Sequence, residues 1–137
     1  MLSVSGLSVS VQGQAILQDV SFEIGAGEVF GLVGESGSGK SMTALALMQL
    51  LPRGIVAQGR AVFDGRDLMA LSEREMCGVR GREVGMIFQE PMSALNPVQR
   101  IGDQVAETLV VHGVAGRAEA KDRAAERLAR VGLDPKH

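Results

Sequence analysis

Eight consecutive residues hold the most specific chemistry in this sequence. Positions 34–41 read GESGSGKS and follow an apolar run at 28–33, EVFGLV. G-x-x-x-x-G-K-[ST] between a buried strand and a helix is the pattern of a phosphate-cradling loop. Gly34, Gly37 and Gly39 can take backbone angles closed to other residues, so that consecutive N–H groups point at an anion with no Cβ intruding. Glu35, Ser36 and Ser38 complete the loop between them. A helix over 39–51 would add its unpaired N-terminal N–H groups and positive dipole end. Lys40 would reach the β- and γ-phosphates of a nucleotide as a point charge, and the Ser41 hydroxyl would ligate Mg²⁺ beside them.

The flanking elements must hold that loop in place. Residues 2–24 contain two alternating runs, with Leu7, Val9 and Val11 in the first and Val20, Phe22 and Ile24 in the second. A Gly turn at 12–14 joins them, which predicts an antiparallel pair with one buried face. GAGE at 25–28 turns the chain into a strand over 28–33. Beyond the loop, Met42, Leu45, Ala46 and residues 48–51 form a helix apolar nearly all round, expected to be buried on the sheet and stopped by Pro52 and Gly54.

Further along, 59–64 (GRAVFD) reads as a short strand, Asp64 and Gly65 as a turn, and 68–71 as a brief apolar patch. Ser72 and Glu75 form a capping box opening a polar helix that ends near Gly78. Residues 83–89 (EVGMIFQ) predict a third apolar strand, ending in a polar loop with Pro91, Asn96 and Pro97. Helices are expected over 101–111, on Ile101, Val105 and Leu109, and over 118–131, with Gly113 breaking the first. In the second, Ala124, Leu128 and Val131 share one face, and Glu119/Arg123 and Glu126/Arg130 are i, i+4 pairs on a solvated one.

Composition narrows the function classes. A net charge of −2 with a pI near 5.7 leaves no basic stripe for nucleic acid. Cys77 is the single cysteine, so no intrachain disulfide is possible; a reducing cytosol and a small buried apolar role follow. Phe22, Phe30, Phe63 and Phe88 all fall in strand-like runs and read as core. His112 and His137 have no ligand or nucleophile spacing. With no 18-residue apolar run and no leader pattern, the chain reads as neither secreted nor membrane-spanning on its own.

Three features then occur in order: GESGSGKS, a strand ending at Gln89, and QEPMSALNPV over 89–98. Together they resemble the nucleotide-binding subunit of an ABC transporter, and EPMSALNPV resembles the narrower group that powers importers of dipeptides, oligopeptides and nickel. The resemblance implies an α/β fold, a P-loop NTPase of the ABC ATPase type. Residues 1–27 would be its antiparallel β part, 28–98 the core from phosphate loop to glutamine loop, an incomplete RecA-like core, and 99–137 the start of a helical subdomain.

Residue by residue, the resemblance implies that positions 34–41 bind ATP and that Met42 offers only its backbone N–H where many relatives place a threonine. Gln89 matches the lid glutamine, which contacts Mg²⁺ and the attacking water; with Lys40 it would be the catalytic contribution of this chain. Val11 stands where the family stacks adenine on an aromatic, so base affinity is expected to be weak relative to phosphate affinity. Ala94 to Pro97, together with the helices that follow, match the region that receives a short helix of the membrane subunit. The implied partners are permease subunits and a second ATP-binding subunit in a head-to-tail dimer, at the cytoplasmic face of the plasma membrane, with no nucleic acid. The signature motif, the strand bearing the Mg²⁺-holding aspartate and catalytic glutamate, and the later histidine are expected past His137. A truncated chain of this kind would hydrolyse ATP negligibly alone.

Other readings stay open at this point. A GTPase would want an N-K-x-D run and a nucleotide kinase an Arg-rich lid, and neither is present. An ABC-type ATPase of DNA repair is disfavoured by the acidic balance. A non-catalytic nucleotide-binding module remains the third.

Overall fold

A computed structural model of the chain describes residues 1–90 and 95–133. Pro91, the MSA portion of QEPMSALNPV including Ala94, and His137 lie outside the described residues. The chain divides into two compact units, Met1–Cys77 and Gly78–His137.

The first unit is built on a four-stranded antiparallel sheet of order β2-β1-β3-β4: β1 (Leu2–Val11), β2 (Gln14–Ile24), β3 (Ile55–Phe63) and β4 (Arg66–Asp67). The sheet therefore takes in residues on both sides of GESGSGKS. Its two-residue turns are the ones the sequence predicts. Gln12 and Gly13 have φ of 49° and 81°, and Asp64 and Gly65 have 45° and 81°. Both residues left-handed is the twist-matched hairpin turn, tolerable for Asn, Asp and Gly and strained for Gln.

Val4, Leu7 and Val9 of β1 are all buried, although Val4 and Leu7 are an odd number of residues apart. A one-residue bulge reconciles them. From Ser5 to Ser8, β1 advances three residues while β3 retreats two, from Arg60 to Gln58. The bulge draws the two backbones together, so a Cβ on Gly59 would stand 2.7 Å from the Gly6 carbonyl oxygen and 2.8 Å from Leu7 Cα. Gly59 also has φ of 121°, which a side chain rarely accepts.

Helix α1 (Lys40–Leu47) packs against β1 and buries Thr43 and Ala46. It is shorter than the 39–51 expected, and its other side chains are half-buried or exposed rather than buried all round. A Schellman closure ends it: Leu50 N–H donates to Leu45 O at 2.8 Å and Gln49 N–H to Ala46 O at 3.0 Å, with Gln49 at φ 52°. The Gln49 carboxamide donates to Leu68 O and Leu71 O at 2.6 and 3.0 Å, tying the end of α1 to the 3-10 turn Leu68–Ala70.

The predicted capping box is present at α2 (Glu73–Val79). Glu75 accepts from Ser72 Oγ at 2.6 Å and Ser72 N–H at 2.8 Å, while Glu75 N–H donates back to Ser72 Oγ at 3.4 Å. The Ser72 hydroxyl, and then its N–H, hold the Glu75 carboxyl below the usual carboxylate range.

In the second unit, α3 (Ile101–Val111) and α4 (Arg117–Arg130) pack on Ala106, Ala120 and Ala124, with Val105 and Leu109 against them. Asp103 pairs with Lys121 at 2.9 Å across the two helices, and Glu119 with Arg123 at 2.6 Å along α4. Gly113 and Gly132, with φ of 64° and 78°, close α3 and α4 as Gln49 closes α1. The Glu126/Arg130 pair does not form among the described residues, and Val131 is exposed because α4 has ended before it.

Two predicted strands are absent. Residues 28–33 and 83–89 belong to no ladder among the described residues, apart from one isolated bridge between Arg80 and Val84. Strand propensity persists only where a neighbour supplies hydrogen bonds, and neither run has one. Val29, Val33 and Ile87 are consequently at least 94% exposed. Phe30 and Phe88 are exposed too, so only Phe22 and Phe63 are partly buried; Phe30 stacks on Phe22 with ring centroids 5.0 Å apart. Cys77 is exposed rather than buried, on the outer face of α2 beside Glu73.

Gly59→Ala is expected to destabilise the first unit by about 1–3 kcal/mol, measured as a lower urea midpoint. The capping box adds a pH dependence. The Glu75 pKa is lowered in the fold, so its contribution is complete above the unfolded glutamate pKa and vanishes as pH falls through the folded value. Unfolding midpoints of wild type and Glu75→Gln should therefore differ at neutral pH and converge in acid; a gap independent of pH would contradict the capping geometry.

Candidate functional site

Residues 34–39 connect the extended 28–33 run to the first turn of α1, and three features define their geometry. The first is the cation. Lys40 Nζ folds back over its own loop and donates to Gly34 O at 2.7 Å, Glu35 O at 2.6 Å and Ser38 Oγ at 3.2 Å. A single ammonium thus engages two carbonyls and one hydroxyl of the loop.

The second is backbone shape. Gly37 and Gly39 have φ of 84° and 90°, as their type suggests. Gly34 is required for a different reason: a Cβ there would stand 2.5 Å from Ser38 Oγ. Gly39 caps α1 in the left-handed conformation and lies directly on β2, where an added Cβ would reach Leu17 Cδ1 at 3.0 Å and Ile16 O at 3.7 Å. Thr43 Oγ1, buried, donates to Gly39 O at 3.1 Å and Thr43 N–H to the same oxygen at 2.8 Å. The hairpin and the helix therefore grip the loop at Gly39 from both sides.

The third is what remains unpaired. Ser38 N–H donates to Glu35 O at 3.2 Å, but the backbone N–H groups of Gly37, Gly39, Lys40, Ser41 and Met42 have no acceptor among the described residues. Glu35 and Ser36 are exposed on the loop. With the carbonyls engaged by Lys40 and the amides open, the loop presents donors and positive charge, which is the polarity an oxyanion requires. The Ser41 hydroxyl is exposed and likewise unpartnered among the described residues, as a metal ligand must be.

The structure thus brings Gly34, Gly37, Ser38, Gly39 and Lys40 into one hydrogen-bonded loop, with Ser41 and Met42 in the helical turn that follows. Gln89 is not part of that group. It belongs to the second unit, at an exposed bend with its carboxamide free of hydrogen bonds among the described residues. Among the described residues no cluster of three His, Cys, Asp or Glu forms that could hold a metal by itself. Sequence reasoning missed Thr43 and the Ile16–Leu17 seat. Thr43 lies four residues after Gly39, the back-bonding spacing of a helical threonine, and so was recoverable; the seat depends on a strand contact that no local pattern encodes.

Comparison with known proteins gives this geometry a lineage. The family model described as ABC transporter matches residues 17–137. The oligopeptide transport ATP-binding protein OppD of Bacillus subtilis is 45% identical over 97% of this chain and 39% of that protein. The peptidoglycan transport ATP-binding protein YejF of Agrobacterium fabrum is 46% identical over 97% of this chain and 26% of its own length. A solved dimeric ATP-binding cassette in a post-hydrolysis state, bound to ADP and Pi, superposes with a TM-score of 0.78 at 25% identity, over 98% of this chain and 58% of that one. The chain spans less than half the length of these curated relatives. With an antiparallel sheet, a glycine-rich loop and the helices that follow in the order of an ABC ATPase, the chain belongs to the ABC transporter family.

Proposed function

We propose that this chain is part of the ATP-binding, energy-coupling subunit of an ABC importer for peptides or a related solute. One observation carries the reading: the backbone amides of Gly37, Gly39, Lys40, Ser41 and Met42 have no acceptor among the described residues, beside an ammonium bound to the Gly34 and Glu35 carbonyls. Anions bind at such a helix start because fixed dipoles and a full charge act together, with little reorganisation. The names of the relatives, transport ATP-binding proteins for oligopeptides and peptidoglycan, support the transport half.

The roles follow from what each side chain offers. The loop amides and Lys40 hold the phosphate tail of ATP, and Lys40 carries charge to the bond that breaks. The Ser41 hydroxyl, exposed and unpartnered, fits a Mg²⁺ ligand, and the Gln89 carboxamide provides an acceptor for a metal and a donor for water. Bound Mg²⁺ would supply charge neutralisation at the phosphates. Val11, at the end of β1, gives a base no ring to stack on, so recognition rests on the phosphates. Permease subunits and a second ATP-binding subunit, paired head to tail as one solved relative is dimeric, complete the proposed assembly. No helix among the described residues is long and apolar enough to cross a membrane, which suits a peripheral subunit on the cytoplasmic face.

Titration calorimetry with ATP and Mg²⁺ tests the reading. Lys40→Ala is expected to weaken binding by about tenfold or more, since a charge-assisted interaction is removed. Equal affinity in wild type and variant would overturn it.

A further inference from the structure

A hydrogen-bonded latch joins the turn at 96–99 to helix α3, and the proposed nucleotide contacts make no use of it. Asn96 begins a turn in which its Oδ1 accepts from Val98 N–H at 3.1 Å and its carbonyl from Gln99 N–H at 3.2 Å. Gln104, on the first turn of α3, then pinches the same residue. Its Oε1 accepts from Asn96 N–H at 2.9 Å, and its Nε2 donates to Asn96 O at 3.0 Å and Gln99 O at 2.9 Å. One carboxamide thereby satisfies both backbone groups of Asn96, as a neighbouring strand would, together with the last carbonyl of the turn.

We infer that Gln104 is a positioning residue that makes the turn at 96–99 and helix α3 one mechanical body. Helix α3 is in turn fixed to α4 by the Ala106, Ala120 and Ala124 contact and by the Asp103–Lys121 ion pair. A displacement of the turn therefore carries both helices with it, instead of being absorbed by loop motion. Resting on the transporter reading, the consequence is that Gln104 carries movement of the 96–99 turn into the α3–α4 pair. Leu95 and Val98, both exposed, flank the latched residue, so the turn keeps its shape without help from a buried core. No other side chain on α3 can substitute, because the arrangement demands an acceptor and a donor on one planar group.

Amide hydrogen exchange of the chain, resolved by NMR, decides the latch whatever the nucleotide result. Gln104→Ala should speed exchange of the Asn96 amide by about tenfold, with Leu109 and Val110 in α3 unchanged. Gln104→Glu, which would set a carboxylate oxygen against the Asn96 and Gln99 carbonyls in place of the donor, should speed Asn96 exchange as well and covers the case in which the alanine variant folds poorly. An Asn96 rate unchanged from wild type in either folded variant overturns the latch. In the full-length subunit assembled with its membrane partners, both variants should lower the ratio of solute-stimulated to unstimulated ATP turnover severalfold, since neither donates to Asn96 O and Gln99 O. An unchanged ratio overturns the transmission role. A wild-type assembly with no Lys40-dependent turnover would sink the nucleotide reading and that role with it, while the exchange rates still decide the latch.

Discussion

The site depends on one cation turned inward. A loop of small residues with free carbonyls and amides on the same side would present mixed polarity to any ligand. Lys40 reduces the ambiguity by binding the Gly34 and Glu35 carbonyls, while the amides of Gly37 and residues 39–42 have no acceptor among the described residues. Three contacts hold that arrangement still. Gly34 leaves room for Ser38, Gly39 rests on Leu17, and Thr43 anchors the Gly39 carbonyl from within α1. Replacing any of these would alter which groups face outward before altering the charge itself.

The same division between local chemistry and long-range pairing explains what could be read from residues alone. The β1–β2 hairpin, both two-residue turns, the capping box and the helices α3 and α4 all follow from signals a few residues apart: alternation, Gly placement and Ser-x-x-Glu. The glycine loop was legible for the same reason, down to the positive φ of Gly37 and Gly39. What failed needed distant partners. EVFGLV and EVGMIFQ have strand composition, yet a strand is a relation between segments, and the described residues supply neither run with a ladder. Phe30 and Phe88 went with them, from expected core to exposed. The end of α1 escapes local reading because a glutamine takes the left-handed closing position that glycine takes in α3 and α4.

Chemistry and architecture also differ in how far they specify function. A 0.78 superposition and an ABC transporter match over residues 17–137 establish the family. They say little about which side chains act, because related folds host different sites. The unpaired donors and the free Ser41 and Gln89 groups are the candidates for that second part, since an engaged donor has no capacity left for a ligand. Carboxamides recur in the supporting roles: Gln49 closes α1 against the 3-10 turn and Gln104 closes the turn at 96–99 against α3. Each donates to two backbone carbonyls of a neighbouring turn.

The most direct test is a residue-resolved amide titration of the folded chain with ATP and Mg²⁺. If the inward ammonium and the outward amides form a triphosphate cradle, the Gly37, Gly39, Lys40, Ser41 and Met42 amide signals move together and saturate, while those of α4 stay in place. Saturating nucleotide that leaves those five signals unmoved, or that shifts them no more than α4, would contradict the account.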